Sequence, residues 1–393
     1  MNRNSNFIPF ALPSIGREEE KSVISVLRSG WLTTGKITSL FESEFAGYLG
    51  VKHALGVNSA TAGLHLALDA IGIKKGDEIL TTPYTFAATA EIIKYFGAKP
   101  VFVDIDKNTF NIDPGLIPGK LNKNTRAIIP VHIAGLPCDM KAIDMLSKKY
   151  GIKIIEDAAH AFPAKTMDGR AGTIGDIGVF SFYATKTITT GEGGMVVTNN
   201  DDYAERISTM RLHGIDRKVW DRHRGKTLSW EYEVVEAGYK YNLTDIASSI
   251  GRCQLKKADA FLARRKYIAE KYIEKFNKYD FLILPPRSDN HSWHLFILRI
   301  NEKKLTISRN SFMKELEKKG IGTSVHYKPL HIMPYYKKTL KHEPEDFPES
   351  IKVFKSAISL PIYPGLNNSQ INRIISAVLD TGLSNYNGKI HAG

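Results

Sequence analysis

The sequence predicts an α/β protein whose central sheet is mainly parallel. Short apolar strands alternate with helical segments up to about residue 197, which is the pattern of such sheets. One repeat of the pattern is the strand Ala127–Val131, the helix Met140–Lys149 and the strand Ile152–Ile155. At 393 residues, the chain is long enough to bury one or two substantial cores.

A different pattern begins near Thr244. Apolar residues at roughly helical spacing continue from Ile246 to Tyr272 and predict one long helix, with Thr244 and Asp245 in its first turn. The elements predicted after it are a strand, a helix, a strand and a helix, at His294–Ile300, Ser308–Lys319, Thr323–Tyr327 and Ile371–Leu379. We therefore expect a large α/β domain over residues 1–245 and a smaller C-terminal α+β domain over residues 246–393, without a flexible linker.

Lys186 is the first candidate for chemistry. It lies where the apolar run Phe180–Phe182 gives way to a polar, glycine-rich turn before the strand Met195–Thr198. A lysine held near the core loses ammonium hydration, which lowers its pKa and frees the amine to attack a carbonyl. Ser181 supplies a hydroxyl from the same segment. Taken alone, the segment is explained better by a surface lysine at the end of a hairpin.

An acid and a histidine follow another buried strand, Ile152–Ile155. Asp157 falls at its carboxyl end, where open α/β sheets bind ligands, and His160 comes three residues later. Pyridoxal phosphate (PLP) needs an acid of this kind on its pyridinium nitrogen and a lysine for its aldehyde, and an imidazole can bond its phenolic oxygen. The residues are equally compatible with a helix N-cap for Asp157 and a half-buried structural role for His160.

A phosphate site is predicted after the strand His53–Asn58. Small residues and the hydroxyls of Ser59 and Thr61 open the next helix, whose dipole favours a dianion at that end. Ordinary capping explains the same residues. Phe86, after the following strand, can stack on a flat heteroaromatic ring, although a core position is the default for phenylalanine.

Together these segments resemble the DegT/DnrJ/StrS family of PLP-dependent nucleotide-sugar aminotransferases. The matching segments are Ser29–Gly35, Asn58–Thr61, Glu156–His160, Ser181–Lys186, Glu192–Gly194 and Gly238–Asp245. The likeness extends in order from about Phe10 to the C-terminal helix. Within the family it is nearest to the aminotransferases of UDP-linked 4-keto pentoses in lipid A modification, through residues 126–132, 238–245 and 292–296. The implied fold is PLP-dependent transferase fold type I, which is aspartate aminotransferase-like.

The resemblance implies catalytic roles. Lys186 would bond PLP covalently, Asp157 would pair with the pyridinium nitrogen, and His160 would lie near the ring hydroxyl. Phe86 would cover the ring face opposite the substrate. Related dehydratases carry histidine in place of the lysine, so the presence of Lys186 favours transamination.

The resemblance also implies binding roles. The residues that would hold the cofactor phosphate are Thr61, Ala62 and Ser181. The residues at positions of the sugar-nucleotide pocket are Trp31, His326 and His331. Asn242 would reach the cofactor phosphate of the neighbouring subunit, so that a homodimer would share its active sites.

The expected reaction moves an amino group from an amino acid, with the glutamate/2-oxoglutarate pair favoured, to a nucleotide-linked keto sugar. A UDP-4-keto sugar ranks first, for cell-surface polysaccharide or lipid A biosynthesis. Phe86 stands where the nearest relatives often have tryptophan, which leaves a 3-keto nucleotide sugar open. The sequence is also compatible with a non-catalytic PLP-binding regulator, a cysteine desulfurase or a sugar dehydratase.

The polar segment Ile215–Val235 has two interpretations, and so do the two histidines His326 and His331. The segment contains arginines and tryptophans that can grip a diphosphate or form a mobile surface loop, namely Arg217, Trp220, Arg222, Arg224 and Trp230. His326 and His331 are spaced like metal ligands, but no third ligand is near in sequence, so a polar sugar pocket is the better interpretation.

Charge and composition exclude several classes of protein. The net charge is +13, but the lysines are scattered, which favours a solvated basic surface that attracts anionic substrates over a nucleic-acid site. The two cysteines, Cys138 and Cys253, lack metal-binding spacing, so we expect neither disulfide nor metal, as in a reducing cytoplasm. The N-terminus has no apolar signal core and no run is long enough to span a membrane.

Overall fold

The computed structural model describes residues 6–166, 169–216 and 232–388. The helices are α1 (Arg17–Ser29), α2 (Lys36–Leu49), α3 (Ala60–Ala70), α4 (Ala88–Tyr95), α5 (Met140–Tyr150), α6 (Asp201–Met210), α7 (Asp245–Lys256), α8 (Ala258–Phe276), α9 (Arg309–Lys318), α10 (Pro334–Leu340), α11 (Pro348–Ser356) and α12 (Asn368–Ser384). The strands are β1 (His53–Val57), β2 (Glu78–Thr81), β3 (Lys99–Phe102), β4 (Thr125–Ile128), β5 (Lys153–Asp157), β6 (Lys165–Thr166), β7 (Gly169–Arg170), β8 (Ile177–Ser181), β9 (Gly194–Thr198), β10 (Leu282–Ile283), β11 (Phe296–Ile300) and β12 (Ala357–Leu360).

Seven strands form the main sheet in the order β1-β9-β8-β5-β4-β2-β3. The pairs β2–β3, β2–β4, β4–β5 and β5–β8 are parallel, whereas β9 is antiparallel to both of its neighbours. Six of these strands therefore point the same way, and their carboxyl ends meet at one edge. The predicted α/β class with a mainly parallel sheet is confirmed.

Helix α3 lies unusually close to this sheet because it presents a glycine to it. A methyl group added at Gly63 would be 2.8 Å from Val179 of β8 and 3.0 Å from Val196 of β9. The apolar face of the helix, including Leu64 and Leu68, is buried in the same core as these valines. Close packing fixes the first turn of α3 beside the carboxyl end of β8, where the site lies.

A second core forms around the three-stranded antiparallel sheet β10-β11-β12. Side chains of α8, α9 and α12 fill it, together with Ile8 from the N-terminal segment. Backbone hydrogen bonds of 2.8 Å join Ile8 to Gly320 and Gly322. The division into residues 1–245 and 246–393 stays a prediction, and we propose that the segment around Ile8 belongs with the second domain.

Two predicted elements were wrong. The predicted long helix is in fact two helices that meet at Lys257. The side chain of Lys257 forms ion pairs with Glu18 and Glu19. The segment Thr323–Tyr327 is not a strand, and within the described part of the chain it makes a single bridge, to β12. Its backbone is engaged elsewhere, because the carbonyl of His326 accepts a hydrogen bond from the hydroxyl of Tyr84, which follows β2 of the main sheet.

The remaining predicted elements are found with shifted ends. None of the described helices is both long and apolar enough to cross a lipid bilayer. Of the segment Ile215–Val235, residues 217–231 lie outside the described residues, including all of its arginines and tryptophans.

Candidate active site

A cavity of about 480 Å³ opens at the carboxyl ends of the parallel strands. Its wall combines residues that lie far apart in sequence, because β1, β2, β5 and β8 all end at this edge. The lining residues that can take part in chemistry or binding are Ser59, Thr61, Phe86, Thr89, Asp157, His160, Ser181, Lys186, His326 and Tyr327. Seven of the eleven predicted site residues are at this wall, with Lys186 and Asp157 among them.

Lys186 lies in the turn between β8 and β9. Its backbone N–H donates to the carbonyl of Tyr183 at 2.9 Å, which keeps the turn tight and directs the residue to the cavity. Loss of hydration lowers the pKa of the amine from 10.5 to about 8, and the negative charge of Asp157 partly opposes the shift. A substantial fraction of the amine is therefore neutral near physiological pH and able to attack a carbonyl carbon.

Asp157, the last residue of β5, is a buried carboxylate at the cavity wall. One oxygen accepts a hydrogen bond from the Thr89 hydroxyl at 2.8 Å, and the other accepts from the Ala159 N–H at 3.2 Å. Burial raises the pKa of Asp157, whereas these two donors and the charge of Lys186 oppose the rise. The carboxylate of Asp157 is thus held in a fixed orientation and faces the cavity that Lys186 also lines.

Glu156 points to the other side of β5 and is fully buried. Backbone N–H groups of the loop 172–175 donate three hydrogen bonds to it, at 2.7, 2.6 and 2.6 Å. His132 Nε2 lies 2.8 Å from the same carboxylate, and the Cys138 N–H donates to Nδ1 at 3.0 Å. Because Nδ1 accepts, the ring hydrogen is on Nε2 and is donated to Glu156, although Cys138 and Glu156 raise the pKa of His132 against the effect of burial. These hydrogen bonds lower the pKa of Glu156, which is therefore an internal anion.

The phosphate end of the cavity is the first turn of α3. Ser59 and Thr61 line it, and Ser181 from β8 lies opposite. The Ser59 hydroxyl caps the helix by accepting the Ala62 N–H at 3.1 Å. Ala62 is buried and does not itself line the cavity, so its contact with the phosphate stays a prediction. A helix N-terminus with two hydroxyls suits a phosphate dianion.

Phe86 forms one side of the opening. Its side chain is 61% exposed, which is unusual for phenylalanine and leaves a ring face free to cover a planar ligand. The Phe86 ring centroid is 6.2 Å from that of Tyr327, tilted by 52°. The default core position is therefore wrong for this residue.

Tyr327 is a site residue that the sequence did not indicate. Its hydroxyl is 3.0 Å from His160 Nε2, and both residues line the cavity beside His326. Burial and the charge of Lys186 lower the pKa of His326 to about 4, so its ring is neutral. The one signal for Tyr327 in the sequence is its position directly after His326. Thr89 was missed too, although Thr85 and Thr89 are one helical turn apart after β2 and their hydroxyls are 2.9 Å apart.

Three predicted residues lie away from this cavity in the single chain. His331 is fully buried, with its ring 4.7 Å from that of Phe347. Trp31 donates its indole N–H to the Thr34 carbonyl at 3.2 Å. Asn242 donates to the Thr34 hydroxyl at 2.6 Å and lines a different cavity. His331 lies in the short helical turn Leu330–Ile332, which is packed inward, and its role in sugar binding stays a prediction.

The cavity residues fit PLP. A reactive amine, a buried acid and a helix N-terminus surround one space, which is the donor set that the aldehyde, the pyridinium nitrogen and the phosphate require. Within the described residues, no cluster of three or more histidine, cysteine, aspartate or glutamate side chains could hold a metal ion.

Comparisons with known proteins agree with this chemistry. A model of the DegT/DnrJ/EryC1/StrS aminotransferase family matches residues 13–379. The uncharacterized protein MJ1066 of Methanocaldococcus jannaschii is 50% identical over 375 residues, which are 95% of this chain and 97% of that protein. The spore coat polysaccharide biosynthesis protein SpsC of Bacillus subtilis is 43% identical over 381 residues, which are 96% and 98% of the two chains.

Solved structures extend the likeness to the whole fold. PseC of Helicobacter pylori, an aminotransferase involved in the biosynthesis of pseudoaminic acid, matches with a TM-score of 0.89 and 33% identity over 96% of this chain and 100% of that one. Spr1654 of Streptococcus pneumoniae, named as a sugar aminotransferase and solved in its PLP form, matches with a TM-score of 0.88 and 32% identity over 96% and 99%. The predicted transferase fold is thereby confirmed, and the chain belongs to the DegT/DnrJ/EryC1/StrS aminotransferase family of PLP-dependent enzymes.

Proposed function

We propose that this enzyme transfers the amino group of glutamate to the keto carbon of a nucleotide-linked sugar, with a UDP-linked 4-keto sugar as the preferred substrate. The observation that carries the proposal is the convergence of Lys186 and Asp157 on one cavity at the carboxyl edge of the sheet. The names of SpsC, PseC and Spr1654 support a sugar as the amino acceptor. The net charge of +13 favours an anionic substrate such as a sugar diphosphate.

Lys186 is the proton carrier in this proposal. When bound, PLP accepts into its aromatic ring the electron pair of a breaking bond at the amino carbon. The neutral Lys186 amine removes the proton from the α carbon of the amino donor, and later returns a proton to the sugar carbon that receives the amine. Its pKa of about 8 places both protonation states within reach near neutral pH. Asp157 would hold a hydrogen on the ring nitrogen of bound PLP.

The proposed biological setting is the synthesis of cell-surface polysaccharide in the cytoplasm. The spore coat polysaccharide name of SpsC supports this setting. It ranks above lipid A modification, because neither SpsC nor PseC carries a lipid A assignment in its name.

We further propose a homodimer with shared active sites. In the single chain, Asn242 is turned away from the cavity, and its side chain binds Thr34 and Lys240 at 2.6 and 2.7 Å. The hydrogen-bonding segment that holds Asn242 also contacts the loop before α3, because the Asn58 N–H donates to the Tyr241 carbonyl at 2.7 Å. In the proposed dimer, a second subunit packs against this surface, and Asn242 of each chain lies beside the phosphate end of the other chain's cavity.

Replacement of Lys186 tests the proposed function directly. Lys186→Ala and Lys186→Arg should both reduce transamination to background, because neither side chain can form the bond to PLP and also carry the proton. The assay is glutamate-dependent amination of a panel of UDP- and dTDP-linked keto sugars, with the position of the new amine determined by NMR. Lys148→Ala is the control, since Lys148 is an exposed helix residue paired with Asp144. Sustained turnover in either Lys186 variant would refute the assignment.

A further inference from the structure

The pair formed by Tyr327 and His160 has one more polar hydrogen than the hydrogen bond between them needs. The Tyr327 hydroxyl and His160 Nε2 are 3.0 Å apart at the cavity wall, and either atom can be the donor. His160 Nδ1 is buried without a hydrogen-bond partner among the described residues. The ring of His294 packs against His160 with centroids 4.4 Å apart, but its own Nδ1 is also unpartnered within the described part of the chain.

The surroundings of His160 decide which atom donates. Burial and the positive charge of Lys186 lower the pKa of His160 well below its usual value, so the ring is neutral and carries one hydrogen. A hydrogen on Nδ1 would be a buried donor without an acceptor, which folded proteins rarely tolerate. A hydrogen on Nε2 instead points to the Tyr327 oxygen. The pair is therefore arranged with His160 as donor and Tyr327 as acceptor.

The hydroxyl hydrogen of Tyr327 is then left to point elsewhere. Burial raises the pKa of Tyr327 above its ordinary range, so the phenol keeps this hydrogen near neutral pH. Tyr327 faces the cavity that also holds Lys186 and Asp157. We propose that Tyr327 donates this hydrogen bond to an oxygen anion of the bound ligand, with His160 holding the phenol in the required orientation.

The backbone around Tyr327 is anchored on both sides, as a positioned donor requires. The Leu330 N–H donates to the Pro83 carbonyl at 2.8 Å, and the Tyr84 hydroxyl donates to the His326 carbonyl. On the other side, His326 Nδ1 lies 2.8 Å from the Ser359 hydroxyl of β12. The donor is thus held between the two sheets and does not depend on a mobile loop.

Two oxygen anions can occupy the acceptor position, and both belong to the proposed reaction. One is the phenolic oxygen of PLP, and the other is the carboxylate of the amino donor. The inference rests on the proposed function, but its first measurement needs only PLP binding to the apoenzyme. Failure of the sugar assignment would leave that measurement valid.

The test compares Tyr327→Phe with Tyr84→Phe. The second variant also removes a buried hydroxyl that holds the same segment, but Tyr84 does not line the cavity. If the acceptor is the PLP oxygen, Tyr327→Phe should raise the Kd of the apoenzyme for PLP about tenfold and shift the cofactor absorbance maximum. If the acceptor is the donor carboxylate, PLP binding and absorbance should match the wild type. The glutamate concentration for half-maximal cofactor conversion should then rise about tenfold, with the maximal rate nearly unchanged.

Either result supports the inference and identifies the acceptor. The inference is overturned if Tyr327→Phe changes PLP affinity, absorbance and glutamate dependence no more than Tyr84→Phe does.

Discussion

Thr89 shows how a single hydroxyl prepares the acid of this site. Among the described residues, Asp157 has two hydrogen-bond donors, and Thr89 provides the shorter bond at 2.8 Å. The Thr85 hydroxyl, 2.9 Å from that of Thr89, restricts the direction in which Thr89 can donate. The carboxylate is thereby oriented before any ligand arrives, which lowers the cost of binding a protonated heterocycle.

Removal of this hydroxyl should weaken cofactor binding. Thr89→Val keeps the shape of the side chain but deletes a hydrogen bond to a charged group, so the Kd of the apoenzyme for PLP should rise about tenfold. Thr89→Ser keeps the hydroxyl and should bind PLP nearly as the wild type does. Fluorescence titration of the apoenzymes measures both. Equal affinity of the valine and wild-type proteins would contradict this role of Thr89.

The pKa of Lys186 leads to a prediction about pH. Only the neutral amine attacks the PLP aldehyde, so the rate of attachment to the apoenzyme should rise with pH through a midpoint near 8 and not near 10.5. The charge of Asp157 raises the pKa of Lys186, so Asp157→Asn should move the midpoint to lower pH. Stopped-flow absorbance follows the reaction over a pH range of roughly two units on either side of that midpoint. A midpoint that moves upward in Asp157→Asn would contradict the electrostatic coupling.

At the scale of elements, helix α2 begins with a cap supplied from a distant part of the chain. Asp245, buried at the start of α7, accepts hydrogen bonds from the N–H groups of Gly35, Ile37 and Thr38 at 2.8, 3.1 and 2.9 Å, and from the Thr38 hydroxyl at 2.7 Å. One carboxylate thus satisfies three backbone donors at the start of α2. It also fixes the segment of Trp31 and Thr34, which contacts Asn242.

Loss of this cap should be costly. Asp245→Ala should reduce the free energy of unfolding by about 2–4 kcal/mol, because several buried donors would lose their acceptor. Asp139→Ala is the matched control: Asp139 caps α5 locally through the exposed Ala142 N–H at 3.0 Å, and its loss should cost about 1 kcal/mol. Urea unfolding curves of the three proteins give the comparison. If both variants lose the same free energy of unfolding, the buried hydrogen bonds of Asp245 add no stability beyond that of a local helix cap.

At the scale of the whole molecule, the proposal of shared sites predicts complementation. Lys186→Ala and Asn242→Ala should each be inactive or weak as homodimers. A mixed dimer would contain one complete site, built from the lysine of one subunit and the asparagine of the other. Co-expression of the two variants should therefore restore about a quarter of the wild-type activity, because about half of the dimers are mixed and each has one of two sites. No recovery in purified mixed dimers would exclude the shared site.

The sequence was sufficient for the parts of the site that follow local rules. Lys186 and Asp157 could be found because each lies where a buried strand ends, and parallel strands end at one edge. Thr89 and Tyr327 could not, since their roles depend on which distant side chain faces them. The sequence placed Asp245 in the first turn of the helix that it begins. Its carboxylate also caps α2, where it binds Thr38, which is 207 residues away in sequence. Contacts of this length have no signature in a single sequence.

The internal anion formed by Glu156 has a consequence for the behaviour of the enzyme in solution. It is the neighbour of Asp157 in the chain and has no exposure to solvent, so mobile counterions cannot approach it. Asp157 is buried as well and lines the cavity, so the charge that it presents to a bound cofactor should persist at ionic strengths that abolish the attraction between the basic surface and an anionic substrate. High salt should therefore slow the encounter with the sugar while leaving the protonation of the bound cofactor almost untouched.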